Sequence, residues 1–170
     1  MSHITAEMAA AVGSETGRRV SFPVSASDIR RWAVAVYWPE KPPRLFWDEA
    51  YARTTRHRGI VAPEEFNPFA WMVAEADDPP VAPEPNDTDM TERILGIEGP
   101  GLKFQLNGGL DVSYGVRIRP GDVITATSRL AEYREREGRL GLMLFTVSEA
   151  TWINQRSEVV KSIRMTGIRY

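Results

Sequence analysis

The sequence has no cysteine and only two histidines, His3 and His57, among its 170 residues. Disulfide bonds, thiolate nucleophiles and zinc sites with cysteine ligands are therefore excluded. A metal site that needs several histidines cannot be built either, and we expect no metal and no cofactor. The formal net charge is only −2, so electrostatics give no reason to expect nucleic acid or an anionic membrane surface as a partner.

Long apolar runs are also missing. No stretch approaches the ~18 residues of a membrane-spanning helix, and the N-terminus lacks the basic-then-apolar order of a secretory signal. The apolar fraction of 42% and the charged fraction of 26% are typical of a globular protein, and the length suits a single core. We expect a cytoplasmic protein with a short N-terminal arm, residues 1–18, and one domain, residues 19–170.

Helix patterns fill the first half of that domain. Ser27 is a suitable N-cap, and the residues Ile29, Trp32, Ala33 and Val36 follow it at the spacing of one helix face. A second short helix is predicted from Trp47 to Thr55. Pro63 then stands at a favoured first-turn position, and the residues from Phe66 to Ala74 are apolar on every side. This pattern predicts a third helix that is completely buried.

A loop separates the helices from the second half of the chain. Residues 75–92 combine several prolines with a cluster of acids and offer little apolar surface. Such a composition is typical of a segment of low order, and a loop of this length in a small domain is either functional or disordered.

Strand patterns follow the loop. From Phe104 to Ile118 apolar residues recur at every second position, which predicts a long strand with one buried face. Gly108 and Gly109 interrupt it, indicating a β-bulge or a close approach of the backbone to another group; a simple strand bend without a ligand is the alternative. The segment Arg119–Asp122, RPGD, has the residues of a type II turn and predicts a hairpin.

Three further strands are predicted at 123–134, 139–152 and 158–168. Helices followed by antiparallel strands are typical of an α+β domain. A curved antiparallel sheet wrapped around the buried third helix would cover both apolar surfaces, and this arrangement is the hot-dog fold.

Two segments carry a family resemblance. The sequence GIVAPEEF at 59–66, followed by LNGGLDVSYGVRIRPGD at 106–122, resembles the N-terminal-type domain of MaoC-like dehydratases, hot-dog proteins related to fatty-acid-synthase dehydratases. The resemblance extends from about Ser25 to the C-terminus. It implies an acyl-CoA or acyl-ACP thioester as substrate, with water added to an enoyl group or removed from a 3-hydroxyacyl group.

The catalytic pattern of that family, D-x-N-P-x-H-x-D followed by alanine, is altered in this chain. Lys41 stands at the position of the catalytic aspartate and Phe46 at that of the histidine, whereas Asp48 and Ala52 keep the pattern. A lysine is normally protonated and cannot act as a base without a large pKa shift, and phenylalanine transfers no proton. The resemblance therefore implies no catalytic residue here and a partner that supplies the aspartate and histidine.

The favoured interpretation is an accessory subunit of a heteromeric (R)-specific enoyl-CoA hydratase or 3-hydroxyacyl-thioester dehydratase. Its role would be to shape the acyl pocket. The candidate substrate-binding residues are Phe46, Phe66, Phe69, Trp71, Met72, Asn107, Gly108 and Gly109. For each aromatic side chain taken singly, ordinary core packing is the competing interpretation. Backbone N–H groups at the glycines could hold the thioester carbonyl as charge develops on it.

Two other hypotheses stay open. The chain could act alone as a hydratase or thioesterase through Asp48, Glu64 or Glu65, although carboxylates at helix starts more often serve the helix dipole. It could also be a non-enzymatic binder of acyl thioesters, possibly a homodimer. His57, between two arginines, is either a phosphate contact for coenzyme A or a solvated loop residue.

Overall fold

A five-stranded sheet with a few short helices makes up the fold. The computed structural model describes residues 2–71 and 87–170. The helices are α1 (Ala6–Ala10), α2 (Ala26–Tyr37), α3 (Glu49–Thr54) and α4 (Met90–Ile94), with a 3-10 turn at Arg44–Phe46. The strands are β1 (Glu15–Val20), β2 (Gln105–Tyr114), β3 (Ile124–Gly138), β4 (Gly141–Asn154) and β5 (Val159–Arg169).

The strand order in the sheet is β1-β3-β4-β5-β2, and every neighbouring pair is antiparallel. The open, curved sheet with few helices confirms the predicted α+β class and the hot-dog fold. Strands β3, β4 and β5 lie within a few residues of their predicted bounds, because alternating apolar residues are a reliable signal where one strand face is covered.

The RPGD segment forms the predicted turn but not the predicted hairpin. The Asp122 N–H donates to the Arg119 carbonyl at 3.1 Å, and Gly121 has a φ of 88°, as the third position of a type II turn requires. However, β2 pairs with β5, whereas β3 lies between β1 and β4. The hairpin prediction was wrong because β1, which lies far away in sequence, takes the edge of β3 that a hairpin would need.

Strand β2 is an edge strand, and the prediction of one buried face was wrong. None of its residues is buried. The pairing with β5 shifts between Asn107 and Gly109, which confirms the predicted bulge. Because of that shift, Leu106 pairs with Ile168 and Leu110 with Met165, so the two leucines lie on opposite faces of the sheet.

The segment expected to form the buried third helix is not helical in its described part. Residues 64–71 form turns, and the remainder of the predicted helix lies outside the described residues. Phe66 and Phe69 are nevertheless buried. Phe66 meets the edge of Trp32 from α2 at 5.7 Å between ring centroids, and Phe69 meets Trp152 of β4 at 5.1 Å. Apolar character here reports burial, and Pro68 within the run disfavours a regular helix.

Helices α2 and α3 follow the predicted pattern with local changes. The N-cap of α2 is Ser25 and not Ser27, because Ser25 forms a reciprocal capping box with Asp28. Ile29 and Ala33 are buried, but Val36 is more than half exposed. Tyr37, one position further on, packs against the core instead.

Two elements lie in segments for which the sequence predicted neither a strand nor a helix. Strand β1 begins at Glu15, so the sheet takes up residues 15–18 of the predicted arm. Of the predicted loop 75–92, residues 75–86 lie outside the described residues. The remainder is ordered and starts α4 at Met90.

Candidate functional site

Lys41 and Phe46, which the sequence pattern aligns with the aspartate and histidine of MaoC-like dehydratases, do not form a catalytic pair. Lys41 is exposed, with its ammonium 4.8 Å from the centroid of the Trp47 ring. Phe46 is only 6% exposed and belongs to the main core, where its ring lies 6.0 Å from that of Tyr37. One side chain is therefore a surface cation and the other a core ring, and neither can activate water.

The two positions that keep the family pattern both support α3. Asp48 is the N-cap of this helix, and its carboxylate accepts the Tyr51 N–H at 3.0 Å. It also accepts from the Arg44 guanidinium at 2.7 Å. The Tyr51 and Arg44 hydrogen bonds hold the pKa of Asp48 below its ordinary value. Ala52, one turn further on, is completely buried, so Asp48 acts as a helix cap.

Glu64 and Glu65 are both engaged in ion pairs. Glu64 lies 2.8 Å from a guanidinium nitrogen of Arg117. Glu65 lies 2.8 Å from the ammonium of Lys161, which is only 6% exposed. The same ammonium stands 5.3 Å from the Tyr114 ring centroid and 5.2 Å from that of Trp152. Both carboxylates are therefore engaged with a neighbouring cation in the structure.

The predicted apolar pocket residues are divided between the core and a small cavity. Phe66 and Phe69 pack inside the core. Trp71 is 43% exposed and lines a cavity of about 90 Å³ together with Phe66 and Phe22. Met72 lies outside the described residues. An acyl-binding role stays a prediction for Phe46, Phe66, Phe69 and Trp71; of these four residues, Phe66 and Trp71 line the cavity.

The glycine bulge of β2 is built for packing and for backbone geometry. A Cβ atom on Gly108 would lie 2.7 Å from the Ile168 side chain, and Gly109 has a φ of +141°. The Gly109 N–H donates to the side-chain oxygen of Asn107 at 2.9 Å. This amide is thus already satisfied inside the strand, and holding a thioester carbonyl would require Asn107 to turn away.

A buried ionic cluster at the far end of the sheet was not anticipated from the sequence. Arg169 of β5 is 2% exposed, and Glu92 of α4 is completely buried. They form a bidentate ion pair, in which two guanidinium nitrogens donate to the two carboxylate oxygens at 2.7 and 2.9 Å. Arg169 also donates to the Asp89 carboxylate at 3.0 Å and to the Thr146 hydroxyl at 2.8 Å, and the Tyr133 hydroxyl donates to Glu92. We call these five residues the α4 clamp. Single charged residues in the sequence give no signal for such a cluster.

The clamp shifts the titration of its members. Burial pushes the pKa of Glu92 upward, but hydrogen bonds from Arg169 and Tyr133 outweigh burial and leave this pKa below its ordinary value. Burial and the neighbouring Glu92 carboxylate raise the pKa of the Tyr133 hydroxyl. The carboxylate is therefore ionised at neutral pH and fully paired, which suits a structural role.

The clamp borders a cavity on the same face of the sheet. Its volume is about 100 Å³, and Met90, Ser148, Met165 and Arg169 contribute to its walls. Met165 is about half exposed and pairs with Leu110 of β2.

The outer edge of β2 is the largest unpaired feature of the sheet. Leu106 and Leu110 are 51% and 56% exposed, and Phe104, Tyr114 and Val116 are also exposed. Only β5 pairs with β2 among the described strands, so a row of backbone N–H and C=O groups faces outward. A long apolar edge of this kind is a template for another strand.

His57 lies beside a group of arginines at the C-terminal end of α3. The ring accepts a hydrogen bond from the Arg56 side chain at 3.3 Å. Partial burial lowers the pKa of His57, and the charges of Arg56, Arg117 and Arg119 lower it further. The sequence indicated the first of these neighbours but not the two arginines around the RPGD turn.

Within residues 2–71 and 87–170, no group of three or more His, Asp or Glu side chains is placed to hold a metal ion. No helix in these ranges has the length and hydrophobicity needed to span a membrane.

Solved structures with similar folds include three that bear on this chain. One is the MaoC-like dehydratase from Rhodospirillum rubrum (20% identity, 94% of this chain and 92% of that chain, TM-score 0.56). Another is the ChsH1-ChsH2 complex from Mycobacterium tuberculosis (19%, 92% and 84%, TM-score 0.62). The third is the truncated HadBC (3R-hydroxyacyl-ACP dehydratase) complex from the same organism (16%, 92% and 99%, TM-score 0.53). At these identities the likeness establishes the fold alone.

Sequence comparison provides the family. Curated protein sequences give no match. The family profile described as the FAS1-like dehydratase domain region matches residues 10–163, which is most of the chain. Together with the MaoC-like fold, this match confirms the resemblance seen in the GIVAPEEF and RPGD segments. The chain therefore belongs to the FAS1-like dehydratase domain region family and is a MaoC-like hot-dog domain.

Proposed function

We propose that this chain is the non-catalytic subunit of a heteromeric (R)-specific enoyl-CoA hydratase or 3-hydroxyacyl-thioester dehydratase. A catalytic MaoC-like partner supplies the aspartate and histidine, and this chain shapes the acyl pocket. Addition of water to an enoyl thioester needs a base and an acid. The base takes a proton from the water, and the acid gives a proton to the α-carbon. Both tasks fall to the partner.

The burial of Phe46 is the observation that carries the proposal. The sequence pattern aligns Phe46 with the family's histidine and Lys41 with its aspartate; Phe46 is a core ring, and Lys41 is exposed. The other carboxylates considered for catalysis, Asp48, Glu64 and Glu65, are each held by a cation. A hydratase of this class without a free acid–base pair needs one from elsewhere.

The exposed edge of β2 supports a partner of the same fold. A strand from a second hot-dog domain can satisfy its outward N–H and C=O groups and cover Leu106, Leu110 and Tyr114. Two of the similar structures, ChsH1-ChsH2 and HadBC, are complexes of two named components. These likenesses support the proposal of a heteromeric partner.

The test is turnover with and without a partner. The chain is purified alone and after co-expression with a MaoC-like protein that carries D-x-N-P-x-H, and hydration is followed by the loss of enoyl-thioester absorbance. We expect no turnover by the lone chain and turnover by the complex. Replacing the partner's aspartate and histidine by asparagine and glutamine should abolish it.

Two results would contradict the proposal. One is hydration by the lone chain, which would place the acid and base within it. The other is full activity of the partner alone, unchanged when this chain is added. A stable complex that binds enoyl-CoA but never turns it over would favour the non-enzymatic binder.

A further inference from the structure

A basic surface lies where the end of α3 meets the segment that follows β2. It is formed by Arg56, His57, Arg117 and Arg119, which we call the basic cluster. The two backbone segments are joined where the Ala62 N–H donates to the Ile118 carbonyl at 2.8 Å. Arg119 reaches across to the α3 side, where a guanidinium nitrogen lies 3.8 Å from the point that a Cβ atom added to Gly59 would occupy.

The cations of the cluster are unequally neutralised. Arg117 is held by the Ala62 carbonyl at 3.1 Å and by the Glu64 carboxylate at 2.8 Å. Among residues 2–71 and 87–170, no carboxylate lies within 4.0 Å of the Arg56 or Arg119 guanidinium, in contrast to Arg53, which pairs with Glu49 one turn earlier. His57 therefore has three arginines as charged neighbours, and one of them, Arg117, is paired with Glu64.

The imidazole of His57 responds to this excess of positive charge. Its Nε2 atom accepts from Arg56, so a neutral ring carries its proton on Nδ1. Partial burial and the three arginines hold its pKa below the ordinary value. A neutral imidazole can donate from Nδ1, and the guanidinium groups offer several N–H donors each. This set of donors matches a multiply charged phosphate group.

The cluster also touches the region assigned to the substrate. Arg117 lines a water-sized cavity together with Phe66, Tyr114 and Lys161. Phe66 in turn lines the apolar cavity beside Trp71. The basic cluster is therefore joined through Arg117 and Phe66 to the cavity beside Trp71, as the charged end of a long thioester would require.

We propose that Arg56, His57 and Arg119 form a binding site for the phosphate groups of the thioester's carrier, with Arg117 fixing the segment between them. The inference builds on the proposed function, because the carrier is the charged part of the substrate. A phosphate ester next to pantetheine occurs both in coenzyme A and in carrier-protein prosthetic groups. The 3′-phosphate of coenzyme A occurs only in the former.

Calorimetric titration of the full chain tests the site. The probes are coenzyme A, dephospho-coenzyme A, 4′-phosphopantetheine and pantetheine. We expect Arg119→Gln and Arg56→Gln each to weaken coenzyme A binding about tenfold, since each removes one charge-assisted contact. Arg53→Gln is the matched control, because Arg53 is also an exposed arginine of this region but is already paired, and it should leave binding unchanged.

The probes separate the two carriers. If the variants reduce the affinity for coenzyme A only to the affinity measured for dephospho-coenzyme A, the site recognises the 3′-phosphate. If the affinity for 4′-phosphopantetheine falls as much as the affinity for coenzyme A, the site recognises the phosphate next to pantetheine. An equal loss for all four probes, pantetheine included, or no loss at all, overturns the proposal.

Proton NMR of the histidine rings gives a second measurement, the pKa of His57. If His57 had only a structural role, coenzyme A would not change this pKa. The chain has two histidines, so a His3→Gln variant assigns the His57 signals. Bound phosphate favours the imidazolium, and coenzyme A should therefore raise the pKa of His57. An unchanged pKa at saturating coenzyme A contradicts the site.

Failure of this inference is distinguishable from failure of the proposed function. If the complex turns over enoyl-CoA and the arginine variants bind coenzyme A normally, the phosphate site is wrong and the accessory role stands. If the variants lose coenzyme A binding but no partner gives turnover, the site stands and the chain is a binder.

Discussion

The side chain of Phe46 fills a place in the core that a catalytic histidine could not occupy without a polar partner. We expect Phe46→His to destabilise the fold by about 2–4 kcal/mol, from lost packing and the burial of an unpartnered ring nitrogen. The double variant Lys41→Asp, Phe46→His should still fail to hydrate enoyl-CoA. Urea unfolding and the absorbance assay measure both effects. Phe104→His, at an exposed ring, is the control, and a gain of hydration in the double variant would contradict this assignment.

The α4 clamp depends on one buried cation. Arg169→Met leaves the Glu92 carboxylate buried without its main partner, and we expect a loss of about 3–5 kcal/mol at pH 7. Arg129→Gln removes an exposed partner of Glu149 on the sheet surface and should have little effect.

The pH dependence of the clamp has a defined sign. The folded-state pKa of Glu92 is lowered, so its stabilising effect is present above the ordinary value of 4.5 and is lost as pH falls below it. In Arg169→Met the isolated carboxylate instead favours its protonated form. The gap in unfolding free energy between wild type and variant should therefore narrow as the pH is lowered from 7 to 4. A gap that widens over this range would show that Glu92 does not depend on Arg169.

At the scale of elements, β2 combines an exposed apolar edge with a bulge that fixes its register. Leu110→Lys places a charge in that edge, at a side chain that is 56% exposed. We expect the lone chain to unfold as before, because Leu110 is already exposed, while assembly with the partner weakens at least tenfold. Sedimentation or titration calorimetry measures the assembly. Val36→Lys, at an equally exposed position on α2, should leave it intact, and equal effects of the two changes would place the interface elsewhere.

At the scale of the whole molecule, folding and assembly should be linked. The lone chain leaves both the β2 edge and the Leu110–Met165 surface open to solvent. A partner that binds only the folded chain raises its apparent stability by mass action. We expect the melting temperature of the complex to exceed that of either chain and to fall on dilution. Additive melting curves at every concentration would indicate that no stable complex forms.

The sequence predicts where strands begin and end better than it predicts which strands pair in the sheet. The bounds of β3, β4 and β5, the bulge at Gly109 and the type II turn at Gly121 all follow from local patterns. The pairing of β2 with β5 does not, because it depends on β1 occupying the edge of β3. In the same way, apolar residues from Phe66 onward indicated burial but not conformation.

The candidate site shows the same limit. The departure at Lys41 and Phe46 can be read from the sequence, whereas the clamp between Glu92 and Arg169 joins residues 77 positions apart and leaves no local pattern. Arg117 and Arg119, the two distant arginines near His57, likewise come from a segment about 60 residues further along the chain. Long-range charge pairing of this kind appears only once the sheet is assembled.

The retention of Asp48 and Ala52 has a consequence for how such chains diverge. Asp48 caps α3, and Ala52 is the buried small residue of the same helix. Both residues therefore have a structural role in α3 that needs no acid or base at positions 41 and 46. An aspartate and an alanine at these places in another chain indicate the capped helix, and activity should be inferred only from the aspartate and histidine that precede them.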